Sequence, residues 1–260
     1  MDSDAVMFRR FLQRLQQHQW GAIATELAIV IIGVFIGMQV SNWNEERVAR
    51  AQERSDLMQL RTEIVDNRRV LEYQVRYVER VVAGGRSGLN FLAADKDCDH
   101  DCEALLVDLF HASQVWGTGY SLAKFQESER LGFPTNASTA LAIREFYQSI
   151  KGWDLINVAP PAYRERVRGY FEPDVSAALW SGCWKLEGGG REVLSNDCLS
   201  LLLKLDVRPT LHFIKGDPML TNELQFWLGQ NLFALQSYPP IFVHANAAMA
   251  AIDKDLGVAE

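Results

Sequence analysis

The residues whose types could do chemistry are few, and their spacing is poor. Five histidines, His18, His100, His111, His212 and His244, fall in no H-E-x-x-H or related ligand pattern. No G-x-S-x-G, P-loop or G-x-G-x-x-G run occurs. A Ser-His-Asp set can be assembled from distant residues, but no motif stands behind it. Gly188, Gly189 and Gly190 have the composition of an anion cradle, and a flexible turn is the simpler reading. The pattern predicts no catalytic residue, no cofactor and no resident metal, hence a non-enzymatic chain.

The four cysteines form two local pairs. Cys98 and Cys102 bracket Asp99, His100 and Asp101, and Cys183 and Cys198 bracket a turn-rich stretch. Two disulfides are the first reading, and they belong in an oxidising compartment such as the periplasm. The second would close a loop of about 15 residues, worth roughly 3 kcal/mol in the chain-entropy account. Free thiols are one alternative. A metal held by Cys98, His100 and Cys102 is the other, but structural zinc wants a second close pair, which Cys183 and Cys198 do not make.

One ionisable residue stands where charge is expensive. Glu26 lies within Trp20–Trp43, whose core from Ala22 to Val40 has no Lys, Arg, Asp or Pro. About 20 apolar residues at 1.5 Å each cross a hydrocarbon layer of about 30 Å, so this stretch is predicted to span a bilayer. Trp20 and Trp43 fall about 35 Å apart on a helix, one near each headgroup layer. Glu26 is either held at the headgroup boundary or aimed at a partner in the membrane. Gly33 and Gly37 make a GxxxG spacing that lets two helix backbones approach, a candidate for self-association.

The acid early in the span, the glycine-bearing apolar run and the polar exit resemble a widespread, uncharacterised family of small single-pass bacterial membrane proteins. The residues that carry the likeness are Glu26, Ile32, Gly33, Ile36, Gln39, Asn42, Trp43, Asn44 and Glu45, within about residues 22–71. The resemblance implies a bacterial membrane location and brings no known activity or catalytic residues with it. Nothing after Ala83 shares in it.

The formal net charge is −7. Arg9, Arg10 and Arg14 balance Asp2, Asp4 and Glu26, so the excess acid lies beyond Trp43. An acidic domain repels phosphate, which argues against nucleic acid as a partner. Arginines flank the span on both sides, so the positive-inside rule does not decide orientation. The cysteines favour a cytoplasmic N-terminus and a periplasmic C-terminal domain.

The organisation that follows is a basic amphipathic tail (1–19), a transmembrane helix (20–43), a long amphipathic helix (44–83) and a disulfide-stapled helical domain (84–260). Along the third segment Leu57, Leu60, Ile64, Leu71, Val75, Val78 and Val82 make one stripe, with Asn67 in its gap. The stripe suits a coiled coil with a polar register residue or the first helix of an antiparallel bundle. Gly84, Gly85 and Gly88 are expected to end it. Short helices follow: Glu103–Ser113, Tyr120–Arg130, Ala137–Lys151 with Thr135 or Asn136 as cap, Ala162–Gly182 broken near Pro173, a buried segment through Leu205, Met219–Leu235, and Ile241–Leu256 after Pro239-Pro240. No run shows sustained strand alternation, so the class is all-α. Among the aromatics, Trp180 and Trp184 are the candidates for an exposed patch. The expected role is that of a structural or interaction subunit in the bilayer, as a homo-oligomer or beside other membrane-protein subunits. A ligand-sensing helical bundle is the alternative.

Overall fold

The computed structural model describes residues 3–115, 117, 119–151, 160–188 and 191–258, with side chains from Ala24 onward. Among the described residues the regular structure is helical except for one pair of short strands, so the chain is all-α. It divides into two compact units, Met1–Ser55 and Asp56–Glu260.

The first unit contains only residues of helix α1, whose bounds are Ser3–Ala93. Every described residue from Ala24 to Gln52 is exposed. Beyond the apolar run, Glu46 and Arg50 pair at i, i+4 (3.6 Å) and the Ser41 hydroxyl donates to Glu45 (3.2 Å), the local pairing that suits a helix face in water.

In the second unit, the last part of α1 packs antiparallel to α9 (Pro218–Leu256). Arg61 pairs with Asp253 through two bonds (2.6 and 3.0 Å), and Arg68 reaches Asn246 (3.1 Å). Seven residues up one helix thus match seven down the other. Leu57, Leu60, Ile64, Leu71, Val78 and Val82 are buried in this seam and its neighbours, while Val75 of the same stripe is half-buried. Asn67 does not set a coiled-coil register there. Its amide clasps the backbone of Ser121 from both sides, at 2.7 Å each way.

Around this pair lie α2 (Cys102–Ala112), α3 (Ala123–Leu131), α4 (Ala137–Lys151), α5 (Ala162–Gly169), α6 (Pro173–Gly182), α7 (Leu199–Leu202) and α8 (Arg208–Gly216). The Asn136 side chain accepts from the Ser138 N–H (3.0 Å) at the start of α4, the expected cap. Pro173 opens α6 where its missing N–H costs nothing.

Four elements differ from the sequence expectation. First, Gly84, Gly85 and Gly88 do not end α1, which runs on to Ala93. They are where other helices come closest: a Cβ on Gly84 would strike the Asp108 carbonyl, and one on Gly88 would meet Leu109 Cδ2 at 2.8 Å. Second, α9 continues through Pro239 and Pro240. Both prolines are exposed, so their rings stand on the outer side of the helix, away from the core. Third, β1 (Trp184–Glu187) and β2 (Arg191–Leu194) pair antiparallel, with Trp184 opposite Leu194; Gly189 and Gly190 of the glycine run between them lie outside the described residues. Strands of four residues are too short for periodicity to reveal. Fourth, the leucines after Cys198 are not mostly buried: Leu202 is, while Leu203 is 71 % exposed. The segment winds only one helical turn, so no continuous face forms.

Candidate functional site

The most unusual surface lies on the first unit. The stretch beginning at Ala24 is the one helix, among the described residues, long and apolar enough to cross a membrane, and none of its apolar window is buried. Leu27, Ile29, Val30, Ile31, Ile32, Val34, Phe35, Ile36, Met38 and Val40 all stand more than half exposed. Water-soluble proteins rarely leave so large a contiguous apolar surface bare. Gly33 and Gly37 have nothing within 4 Å of where a Cβ would sit, so their face is open to a second helix. Glu26 is exposed, as is Trp43. Trp20 is helical, but its side chain lies outside the described residues.

The second unit has three polar clusters, and each has a structural role. Glu63 interrupts the apolar stripe between Leu60 and Ile64 and is nearly buried. Its carboxylate accepts from the Tyr147 hydroxyl (2.6 Å), the Ser121 hydroxyl (2.7 Å) and the backbone N–H groups of Lys124 (2.9 Å) and Phe125 (3.2 Å). It thereby caps the N-terminus of α3 from another helix and ties α4 to α1. Burial pushes its carboxyl up. The four donors together outweigh that and hold it below the usual range. Glu63→Gln turns an NH2 group towards donors and is expected to lower stability by about 2 kcal/mol. Because the folded value is depressed, this contribution is present above pH 4.5 and is lost as pH falls below it. The check is the urea midpoint of the full chain in mild detergent at pH 7; an unchanged midpoint refutes the clasp.

The second cluster closes the C-terminus of α2. Arg164 and Arg168 both donate to the Ser113 carbonyl, at 3.0 and 3.3 Å, and Arg168 Nε reaches the Ser113 hydroxyl at 2.9 Å. The negative end of a helix dipole is a natural seat for such cations. The Arg168 guanidinium also lies over the rings of Trp180 (4.9 Å) and Phe110 (5.6 Å). Burial, and then the neighbouring charge of Arg164, lower it to about 10, so it stays protonated at neutral pH. Trp180 is 40 % exposed and meets the half-buried Trp184 edge-on at 5.7 Å. Sequence reasoning therefore placed Trp180 on the surface but missed the cation against it.

The third cluster surrounds His111, which is fully buried. Its Nε2 lies 3.2 Å from the Cys183 carbonyl. A carbonyl can only accept, so Nε2 carries the proton and Nδ1 is left a bare acceptor. Nδ1 has no hydrogen-bond partner among the described residues. Burial, opposed in part by the Cys183 bond, lowers this imidazole to about 4.

Both cysteine pairs sit at disulfide distance, Cys98 with Cys102 (Cα–Cα 5.7 Å) and Cys183 with Cys198 (5.0 Å). The second pair joins the ends of the β1–β2 hairpin. A Cβ on Gly182 would lie 2.8 Å from Cys198 Cα, so glycine is what admits the bridge there. Beside the first pair opens a shallow groove of about 540 Å³, lined by Asp97, Cys98, Asp99, Asp206, Arg208, Pro209, His212 and Phe213. His212 and Asp97 are already joined across it (3.0 Å). No group of three or more His, Cys, Asp or Glu is placed to hold a metal among the described residues. Trp116 and Trp153 lie outside the described residues.

Compared with protein-family models, with curated proteins and with solved structures, the chain finds no match.

Proposed function

We propose that this chain is a non-enzymatic, single-pass protein of the bacterial inner membrane, with its N-terminus in the cytoplasm and its C-terminal helical domain in the periplasm. It acts as a structural or interaction subunit, self-associating or docking on a membrane assembly through its span and that domain. The observation that carries this reading is the bare apolar surface from Leu27 to Val40. Only lipid or other apolar helices relieve the cost of leaving it in water. The cysteine pairs support the periplasmic side, since such bridges persist where thiols are oxidised. The open glycine face at Gly33 and Gly37 supports association in the bilayer.

The second reading, a ligand-sensing module, would use the groove at His212. Its lining carries the carboxylates of Asp97, Asp99 and Asp206 and it is open to solvent, whereas small-molecule sites enclose most of their ligand. That favours the interaction subunit.

The test is a C-terminal fusion to a reporter active only outside the cytosol, combined with alkaline carbonate washing of membranes. An active reporter on a chain that stays with the membrane is the expected result. An inactive reporter refutes the orientation. Release of the intact chain by carbonate refutes the membrane reading altogether.

A further inference from the structure

The outer face of α9 carries a second unpartnered surface with a regular period. Met219, Phe226, Phe233, Pro240 and Ala247 recur every seven residues, and so do Asn222, Gly229, Gln236, Val243 and Ala250; all ten are exposed. Phe226 is 68 % exposed, Val243 65 % and Phe233 60 %. Met219, Phe226, Phe233 and Val243 are the large apolar side chains this face exposes, spaced as one helix face requires. The buried face of the same helix, from Leu220 to Leu256, already serves the core, so the outer seam is additional.

Two observations identify what covers it. From Leu224 to Ile252 the sequence contains no Asp, Glu, Lys or Arg, in a chain that is 23 % charged. Charge depletion with exposed Phe and Met marks an interface core. A seam aimed at a foreign partner usually carries charges that select it. A seam that faces its own copy must avoid them, because each residue then meets its like. The second observation is size. At 1.5 Å per residue the seam from Met219 to Ala250 extends about 48 Å, and a strip about 10 Å wide gives about 480 Å² per partner. The total, about 960 Å², is below the roughly 1,200 Å² of a standard interface, which suits one contact added to the association of the span rather than a docking site for a large foreign partner.

We infer that the outer seam of α9 pairs, parallel and in register, with α9 of a second copy of this chain. Parallel pairing lets Asn222 and Gln236 meet their own counterparts, where two amides satisfy each other. Antiparallel pairing centred on Gln236 would set Asn222 against Ala250 and leave that amide alone, and centred on Gly229 it would join Asn222 to Gln236 but leave the exposed Val243 uncovered. Gly229, with nothing within 4 Å of its missing Cβ, allows close approach between the two phenylalanine layers. The inference deepens the self-association proposed above by naming its surface in the helical domain.

The native cysteines are paired, so one added cysteine reads cleanly. Phe226→Cys, Phe233→Cys and Val243→Cys, each in the full chain in native membranes, are expected to give disulfide-linked homodimers on mild oxidation. Leu141→Cys, exposed on α4, is expected to give none. Adding Phe226→Glu to the Val243→Cys chain sets two like charges face to face and is expected to cut its yield about tenfold or more. Failure of all three seam positions overturns the inference. So does linkage only in mixed pairs such as Asn222→Cys with Ala250→Cys, which means an antiparallel contact, or linkage only to a different polypeptide. Shielding of the seam cysteines from a water-soluble maleimide without any dimer would assign the face to lipid and overturns it too. Val40→Cys in the span separates the two levels. If it still links while the seam does not, association stands and only the α9 contact falls.

Discussion

Gly84→Val is expected to lower the stability of the helical domain by about 3 kcal/mol or more. A Cβ at this position meets backbone and nothing that can rotate away: the Asp108 carbonyl oxygen, then its carbon at 3.2 Å and the Ala112 nitrogen at 3.3 Å. Relief requires α1 and α2 to move apart, which opens the contacts of Leu106, Leu109 and Phe110, all fully buried. The neighbouring Gly85 provides the contrast. A Cβ there lies 3.1 Å from Leu228 Cδ1, the far end of a flexible side chain. Gly85→Ala therefore meets a neighbour that can give, and it gains up to about 1 kcal/mol of helix propensity. Denaturant midpoints of the two variants, measured on the full chain in the same detergent, should part widely. Equal midpoints would mean that the close approach of the two helices is not a constraint.

That pair also shows what sequence reading can and cannot reach. Residue type alone marks Gly84, Gly85 and Gly88 as helix breakers, because glycine is permissive and costs helix stability. What decides their conformation is the surface of α2 and α9, and that is tertiary information. The same holds for Pro239 and Pro240: a proline pair reads as a boundary, but the packing of the helix on both sides of the pair carries it through. Local signals did their work where the chain resolves the question within one turn. Asn136 caps α4, Pro173 opens α6, and the apolar stretch after Ala24 declares itself by length. The Glu63 clasp had no local signal beyond a carboxylate misplaced on an apolar stripe. Its partner Tyr147 is 84 residues away. The α9 seam, in contrast, left a trace in the sequence, since a 29-residue stretch without charge in an acidic chain is legible before any fold is known.

The second large effect is a loss of stability in mild acid, and His111 is its source. In the unfolded chain this imidazole titrates near 6.5; in the folded protein burial holds it down to about 4. The folded value is depressed, so between these limits the unfolded state binds more protons. The contribution is full above pH 6.5, declines as pH falls, and is gone near pH 4. The span of the shift corresponds to about 3 kcal/mol. Glu63 cannot mimic this, because its contribution disappears only below pH 4.5. Measurements at pH 7.0, 5.5 and 4.5 therefore isolate the histidine. His111→Gln keeps a donor for the Cys183 carbonyl and removes the titration, so its unfolding midpoint should be flat over this range while that of the parent falls. If both fall in parallel, the proton is taken up elsewhere. The location of His111 gives the loss a direction: its bond to Cys183 links α2 to the base of the disulfide-closed hairpin. Protonation places a charge in that dry joint, where Arg80 already adds like charge and Asp108 only partly offsets it. The hairpin and the Trp180–Trp184 surface beside it should accordingly loosen first, ahead of the α1–α9 pair. Hydrogen exchange at pH 5 is expected to show faster exchange in residues 184–194 than in 56–83, and the reverse order would place the weak joint elsewhere.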